Sequence, residues 1–246
     1  MSSGYYAACA GMMTRTASLD TIANNLANVS TPGFRASHNS FSAALASTDD
    51  EPLSALNQDA NEYGYLSGTR LDTTQGALVP TGNELDLAID GAGYFEVQTG
   101  AGPVYTRGGN FRVSPQGQMI TAAGDPVLGD SGGPITIVGE PVSISADGTI
   151  SVNGAIAGKL KTAEFPPATQ LESLGNSYYK APVGAAIAAT NTKVRQGQLE
   201  SSNVNPVTSV VELITAQHEV ESMRRTLSMF SDEMDKTATQ DLPRVS

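Results

Sequence analysis

Two histidines, one cysteine and a scatter of carboxylates are all that this chain offers for bond-making chemistry. Nucleophilic catalysis needs a nucleophile with a base in reach, most often a His. His38 lies in a polar segment, and His218 sits between acidic neighbours one residue off an apolar helical stripe, the setting of a solvated side chain. Cys9 stands among small residues, as a small buried hydrophobe does, and a single Cys forms no intrachain disulfide. One Cys and two distant His do not build a structural zinc site, and no Asp-rich loop has calcium spacing. Gly91-Ala92-Gly93 opens like a dinucleotide loop, but Glu96 stands where the third Gly belongs and strand-type residues follow. Asp86 and Asp90 could act as a glycosidase pair only if the strand between them bent. The expectation is a protein without catalytic residues, cofactor or metal.

The elements that would have to position such chemistry instead have the pattern of an assembling protein. Near the N-terminus Tyr5, Ala8, Met12, Leu19, Ile22 and Leu26 recur at helical spacing, interrupted at Arg15. This is a narrow, coiled-coil-like seam rather than a wide amphipathic face. Pro32 and Gly33 end it. Near the C-terminus Leu213, Ala216, Val220, Met223, Leu227, Phe230 and Met234 alternate three and four without a break. Asn205-Pro206 supplies a cap and a first-turn proline, which predicts a helix from about Pro206 to Thr237. Helices with narrow seams are marginal alone and need partners.

Between the helices the pattern changes to short apolar runs punctuated by glycine. Leu85 to Ile89 alternates and Asp90-Gly91 predicts a turn into Tyr94-Phe95-Glu96-Val97. Ser114-Pro115-Gln116-Gly117-Gln118-Met119 and Ser145-Ala146-Asp147-Gly148-Thr149-Ile150 are alike, each predicting a hairpin tip with Gly at positive φ. The predicted fold is α+β, with the terminal helices pairing as a coiled-coil-like stalk around a central antiparallel β-rich domain. Its parts are an assembly helix over 1–34, an extended linker over 35–75, the β domain over 76–190, a return segment over 191–205, and a second assembly helix with tail over 206–246.

Composition narrows the partners. A net charge of −11 disfavours contact with phosphate backbones. No run approaches the ~18 apolar residues of a membrane span. The N-terminus lacks the charged n-region of a cleaved signal, the first basic residue being Arg15. Aromatics are 6 % of residues and Trp is absent, so a large dense core is not expected.

One segment is unusual. Ala23-Asn24-Asn25-Leu26-Ala27-Asn28-Val29-Ser30-Thr31-Pro32-Gly33-Phe34 places three Asn in the last turns of a helix, although Asn forms helices poorly. Asn24 and Asn28 share a face, and amides that donate and accept can fix a register between copies or simply cap a fraying end. Here the chain resembles the flagellar rod and hook protein family, whose signature is this Asn-Asn-Leu-Ala-Asn run followed by Thr-x-Gly-Phe. Three later blocks are similar to the family as well. They are Gln75-Gly76-Ala77-Leu78 with Thr81 to Gly91, then Tyr105-Thr106-Arg107-Gly108-Gly109-Asn110-Phe111, then Leu199-Glu200-Ser201-Ser202-Asn203-Val204-Asn205.

The resemblance implies a structural subunit of the basal-body rod, stacking helically across the periplasm and exported by the flagellar type III apparatus without a cleaved signal. Its implied partners are copies of itself, other rod and hook subunits and the export apparatus, with no nucleic acid and no membrane insertion. The implied assembly residues are Leu19, Ile22, Asn24, Asn25, Leu26, Asn28, Thr31, Gly33, Phe34, Asn203, Val204, Asn205, Leu213, Val220, Met223, Leu227, Phe230 and Met234. Length and the compact stretch between Phe34 and Gln75 favour the proximal over the distal rod, and the hook protein less than either. Gln217-His218-Glu219-Val220-Glu221 departs from the family's Gln-Arg-x-aromatic-Glu pattern. The alternatives are an exported surface adhesin built on a β domain and a cell-wall glycan hydrolase.

Overall fold

A computed structural model describes residues 2–42, 65–167, 169–189 and 192–240. Helix α1 spans Ser2–Ala27 and helix α2 spans Pro206–Gln240. Helix α2 begins at the proline that the cap pattern marks, and α1 stops at Ala27, where Asn28 to Gly33 turn the chain out of the helix. Neither helix is long and apolar enough to cross a membrane.

The chain divides into two compact units. One is drawn from α1 as far as Leu26, the paired strands Ser37–Ser42 and Tyr65–Leu71 up to Arg70, and α2. The other holds Ala27–Ala36 and Leu71–Asn205, and is β throughout.

The β unit is organised around a six-stranded antiparallel sheet. Its strands run, side by side, Glu172–Gly175, Tyr178–Lys180, Gly102–Thr106, Tyr94–Thr99, Thr162–Glu164 and Ile187–Ala188. A three-stranded sheet sets Thr149–Val152 between Ala155–Lys159 and Val142–Ile144. Two further pairs bring distant chain together, Lys193–Gln196 against Leu87–Asp90 and Gln198–Glu200 against Leu78–Pro80. Leu87, Ile89, Phe95, Met119, Val127 and Ile150, all fully buried, form the main core with Phe111, whose ring meets Phe95 edge-on at 5.1 Å.

The two similar hexapeptides form the same turn. Gly117 N donates to Ser114 O at 2.8 Å and Ser114 N to Gln118 O at 2.8 Å; Gly148 N and Ser145 N repeat the pattern at 2.9 Å each. Both glycines have positive φ, 78° and 83°, which a β-carbon would strain.

The expected coiled-coil-like stalk needs correction. The molecule is mostly β-sheet, and among the described residues no extended contact joins the two helices. They meet at the Arg15–Glu219 ion pair, 3.0 Å between half-exposed side chains, and beside Gly11, where a β-carbon would lie 3.4 Å from Met223 Sδ. The reason lies in the sequence of α1. Ala8 and Arg15 put a small side chain and a charge at seam positions where knobs-into-holes packing needs large apolar ones. The linker expected over 35–75 falls largely on residues 43–64, outside the described residues.

Tyr178 and Tyr179 bury their phenols within the six-stranded sheet. The Tyr178 hydroxyl donates to Asp125 Oδ2 at 2.8 Å and contacts Thr121 Oγ1 at 2.6 Å. Burial pushes its pKa up to about 12 from 10.0, against the opposing pull of Thr121. A folded pKa above the unfolded one adds stability that is complete below pH 10 and lost as pH rises through about 12. Urea unfolding is expected to fall off over that window, and Tyr178→Phe to flatten the fall; an identical alkaline slope in the variant would contradict this role.

Candidate functional site

The four sequence blocks far apart in the chain meet on one carboxylate. Glu200, at the end of strand Gln198–Glu200, is fully buried. Its Oε1 lies 2.7 Å from the Arg35 guanidinium and its Oε2 lies 3.1 Å from that of Arg107. Both arginines are buried, with side chains 1 % and 2 % exposed. Buried ions hold only where every partner is close, because dehydration costs several kcal/mol per ion.

The surroundings supply part of that satisfaction, while Nε of Arg35 and Nε of Arg107 are buried without a hydrogen-bond partner among the described residues. Arg107 donates to Gly91 O at 2.7 Å and stacks over the Tyr94 ring, 4.8 Å from its centroid. Arg35 donates to Thr74 O, and Gly76 N donates to Glu200 Oε1 at 2.9 Å. The backbone closes the cluster, since Gly33 N donates to Glu200 O at 2.8 Å and Arg35 N to the Tyr179 hydroxyl at 3.0 Å. Burial draws the Arg107 pKa down while Glu200 holds it up, so the carboxylate keeps the guanidinium charged.

Two glycines exist because of these approaches. Gly33 has φ 68°, and a β-carbon there would come within 2.2 Å of the Arg107 carbonyl carbon. A β-carbon on Gly76 would meet Ser201 O at 1.9 Å. The motif Gly33-Phe34-Arg35 therefore folds as a unit. The glycine admits the backbone, Phe34 packs with Ala36, Val204 and Val29, and Arg35 reaches the carboxylate.

The Asn-rich helix end is consumed inside the fold to a large degree. Asn25 is buried, its side chain donating to Ser37 O at 2.8 Å and accepting from Ser37 N at 2.9 Å. Asn28 Oδ1 accepts from the Thr31 hydroxyl at 3.1 Å, and Thr31 N donates to Asn28 O. Asn203 accepts from Ala36 N at 2.7 Å and donates to Asp72 O and Thr74 O. Asn25 thus ties α1 to the strand after it, while Thr31, Gly33, Phe34, Asn203 and Val204 make their contacts within the β unit. Asn24 is exposed, and Asn205 stands exposed immediately before α2.

The remaining candidates lie on the helices. Leu19, Ile22 and Leu26 are half-buried on α1. On α2 Leu213, Val220, Met223 and Leu227 are half-buried around the buried Ala216. The side chains of Phe230 and Met234 lie outside the described residues. The structure does not gather these positions with the carboxylate cluster into one site.

The catalytic alternatives find no constellation among the described residues. His38 and His218 are exposed. Asp86 is buried against Thr81 and Asn83, whereas Asp90 is partly exposed and pairs with Arg195, so the two carboxylates serve separate contacts. No group of three or more potential metal ligands is found there.

Sequence reasoning quoted Arg107 and Glu200 inside motifs without giving them a role, and passed over Arg35. The available signal was the charge itself. Two arginines and one glutamate sit in blocks otherwise made of uncharged residues, and a charge in such company is buried only when paired.

Three family models match along the chain. Residues 6–35 match the flagella basal body rod protein model, 88–152 the flagellar hook protein FlgE/F/G D1 domain, and 195–241 the flagellar basal body rod FlgEFG protein C-terminal model. The chain is 31 % identical to flagellar basal-body rod protein FlgF of Caulobacter vibrioides over all of both chains. It is 35 % identical to FlgF of Mesorhizobium japonicum, over 96 % of this chain and 98 % of the relative. It is 32 % identical to flagellar basal-body rod protein FlgG of Bacillus subtilis, over 93 % and 95 %.

Replacing Glu200 by Gln leaves two buried guanidiniums without a counter-charge, which costs roughly 3–5 kcal/mol. The expected result is a large fall in the urea midpoint of the full chain. Arg195→Gln, which breaks an exposed pair, is expected to change it little. Equal effects from the two substitutions would contradict the role given to Glu200.

Proposed function

Because the chain belongs to the flagellar basal-body rod protein family, we infer that it is a structural subunit of the bacterial flagellar rod and works by assembly rather than catalysis. The full-length similarity carries this conclusion, since it covers all of the chain, both helices and the β unit included. Its place is the flagellar basal body, and its assembly is with other rod and hook subunits.

The helices support the manner of assembly. On a helix advancing roughly 100° per residue, the stripe of Leu213, Ala216, Val220, Met223 and Leu227 faces one side of α2. Val207, Val210, Val211 and Ile214 are exposed, 74 %, 42 %, 59 % and 49 %, and occupy the other side, roughly 150° away. A surface helix is polar on its solvent side. Apolar residues on two opposed faces therefore favour a helix enclosed on both sides, which neighbouring copies would supply.

The terminal helices are the assembly elements, acting through Leu19, Ile22, Leu26, Leu213, Val220, Met223 and Leu227, with Phe230 and Met234 continuing the stripe. The β unit is the outer body, and the stacked subunits transmit motor torque across the periplasm. Among rod positions we propose the proximal one, on the compact stretch between Phe34 and Gln75. Passage through the flagellar export apparatus accompanies this reading, as does the absence of nucleic-acid and membrane partners.

Deleting the gene should abolish swimming and leave basal bodies that stop short of a complete rod. Complementing with Leu227→Asp should fail to restore swimming although the chain is folded, because a charge in the stripe has no partner. Intact rotating flagella in the deletion strain would sink the rod assignment. Normal swimming with Leu227→Asp would remove α2 as an assembly element and leave the assignment standing.

A further inference from the structure

The outer strands of the β unit differ in how they are closed to another chain. An edge strand left open is a template for pairing, and charges, prolines, irregular register or covering groups blunt it. Glu172–Gly175, one edge of the six-stranded sheet, carries a charge and loses register between Ser173 and Gly175. In the three-stranded sheet Val142 N and Ile144 N donate to Glu84 Oε2 and Gln196 Oε1, at 3.2 Å and 3.0 Å, and Asp130 N donates to Lys159 O at 2.9 Å. The two-stranded pairs of this unit carry Pro80, Arg112 or the Asp90–Arg195 ion pair. Ile187–Ala188, the opposite edge of the six-stranded sheet, has none of these. Residues 181–189 contain no charge, and Ala186, Ile187 and Ala188 are exposed. Ala189 N donates to Thr162 O, so by the alternation of an antiparallel ladder Ala188 turns its own N–H and C=O away from the sheet.

We infer that this edge pairs with the same edge of a second copy of the chain, antiparallel and centred on Ile187. Strand addition needs an open edge on both sides, and among the described edges of the β unit only this one is open. A second copy therefore offers Ile187–Ala188 itself. Copies bearing −11 charge repel one another, and contact is least opposed along an uncharged stretch. In this register the outward N–H and C=O of Ala188 meet those of Ala186 from the other copy, and the two Ile187 side chains lie opposite each other. A contact made by one edge on both copies is two-fold and closes on itself. It is thus a property of the free chain, separate from the open helical stack of the assembly reading above.

The test uses the full-length chain in a Cys9→Ser background. Ile187→Cys is oxidised gently and scored for the disulfide-linked homodimer, with Ile156→Cys, an exposed apolar site on Ala155–Lys159, as the control. Directly opposed residues of a non-hydrogen-bonded pair stand close enough for a disulfide, so the expected homodimer is well above the control. Ala188→Pro removes the outward N–H and keeps the ladder bonds. It is expected to weaken self-association by about tenfold or more in sedimentation while the urea midpoint holds. Ile187→Lys, which places a charge on the edge and leaves the backbone alone, is expected to do the same. A homodimer no more abundant than the control, or self-association unchanged in either folded variant, would overturn the pairing. The rod assignment is read separately, by swimming of the deletion strain, so the pairing and the assignment can fail independently.

Discussion

A single carboxylate, Glu200, held between Arg35 and Arg107 at zero exposure, is the interaction on which the rest of the structure depends. It joins chain from the exit of α1, from the middle of the β unit and from the approach to α2. A buried pair of this kind is not by itself a large source of stability, and an apolar replacement of the same volume can do as well. What it imposes is geometry. Each guanidinium must bring one terminal nitrogen to its own oxygen of the carboxylate, which constrains how the three segments close on one another. The backbone bond from Gly33 to Glu200 and the stacking of Arg107 on Tyr94 follow from that closure.

The same closure accounts for residues that resist a local explanation. Gly33 and Gly76 are glycine because backbone passes where a β-carbon would stand, in both cases at the wall of the carboxylate cluster. Asn203 binds backbone from 36, 72 and 74, and so ties the three stretches together within the β unit. Asn25 does the same service for the exit of α1, clamping Ser37 by two hydrogen bonds. The asparagines that stand out in the sequence therefore act mainly within the subunit, with Asn25 buried, Asn28 half-buried and Asn24 exposed.

Local signals in the sequence were legible and long-range ones were not. The start of α2 at Pro206 and the twin turns at Gly117 and Gly148 depend on residues within a few positions of one another, and pattern alone places them. The carboxylate cluster depends on residues 35, 107 and 200, whose proximity no periodicity encodes. The coiled-coil-like stalk failed for a different reason. A seam with the right spacing still needs apolar side chains large enough to interlock, and on α1 Ala8 is too small and Arg15 is charged. Spacing predicts which residues face one way and is silent on how deeply they engage.

A closed β unit, with apolar surface still exposed on α2, is a division of labour suited to a rod subunit: rigidity within the copy, association between copies. Hydrogen exchange on the full chain, free in solution and again in purified basal bodies, tests this most directly. The account predicts that the amides of Gly33 and Gly76 are protected in both states, whereas those of α1 and α2 gain protection only in the assembled rod. Helices as strongly protected in the free monomer as Gly33 would contradict it.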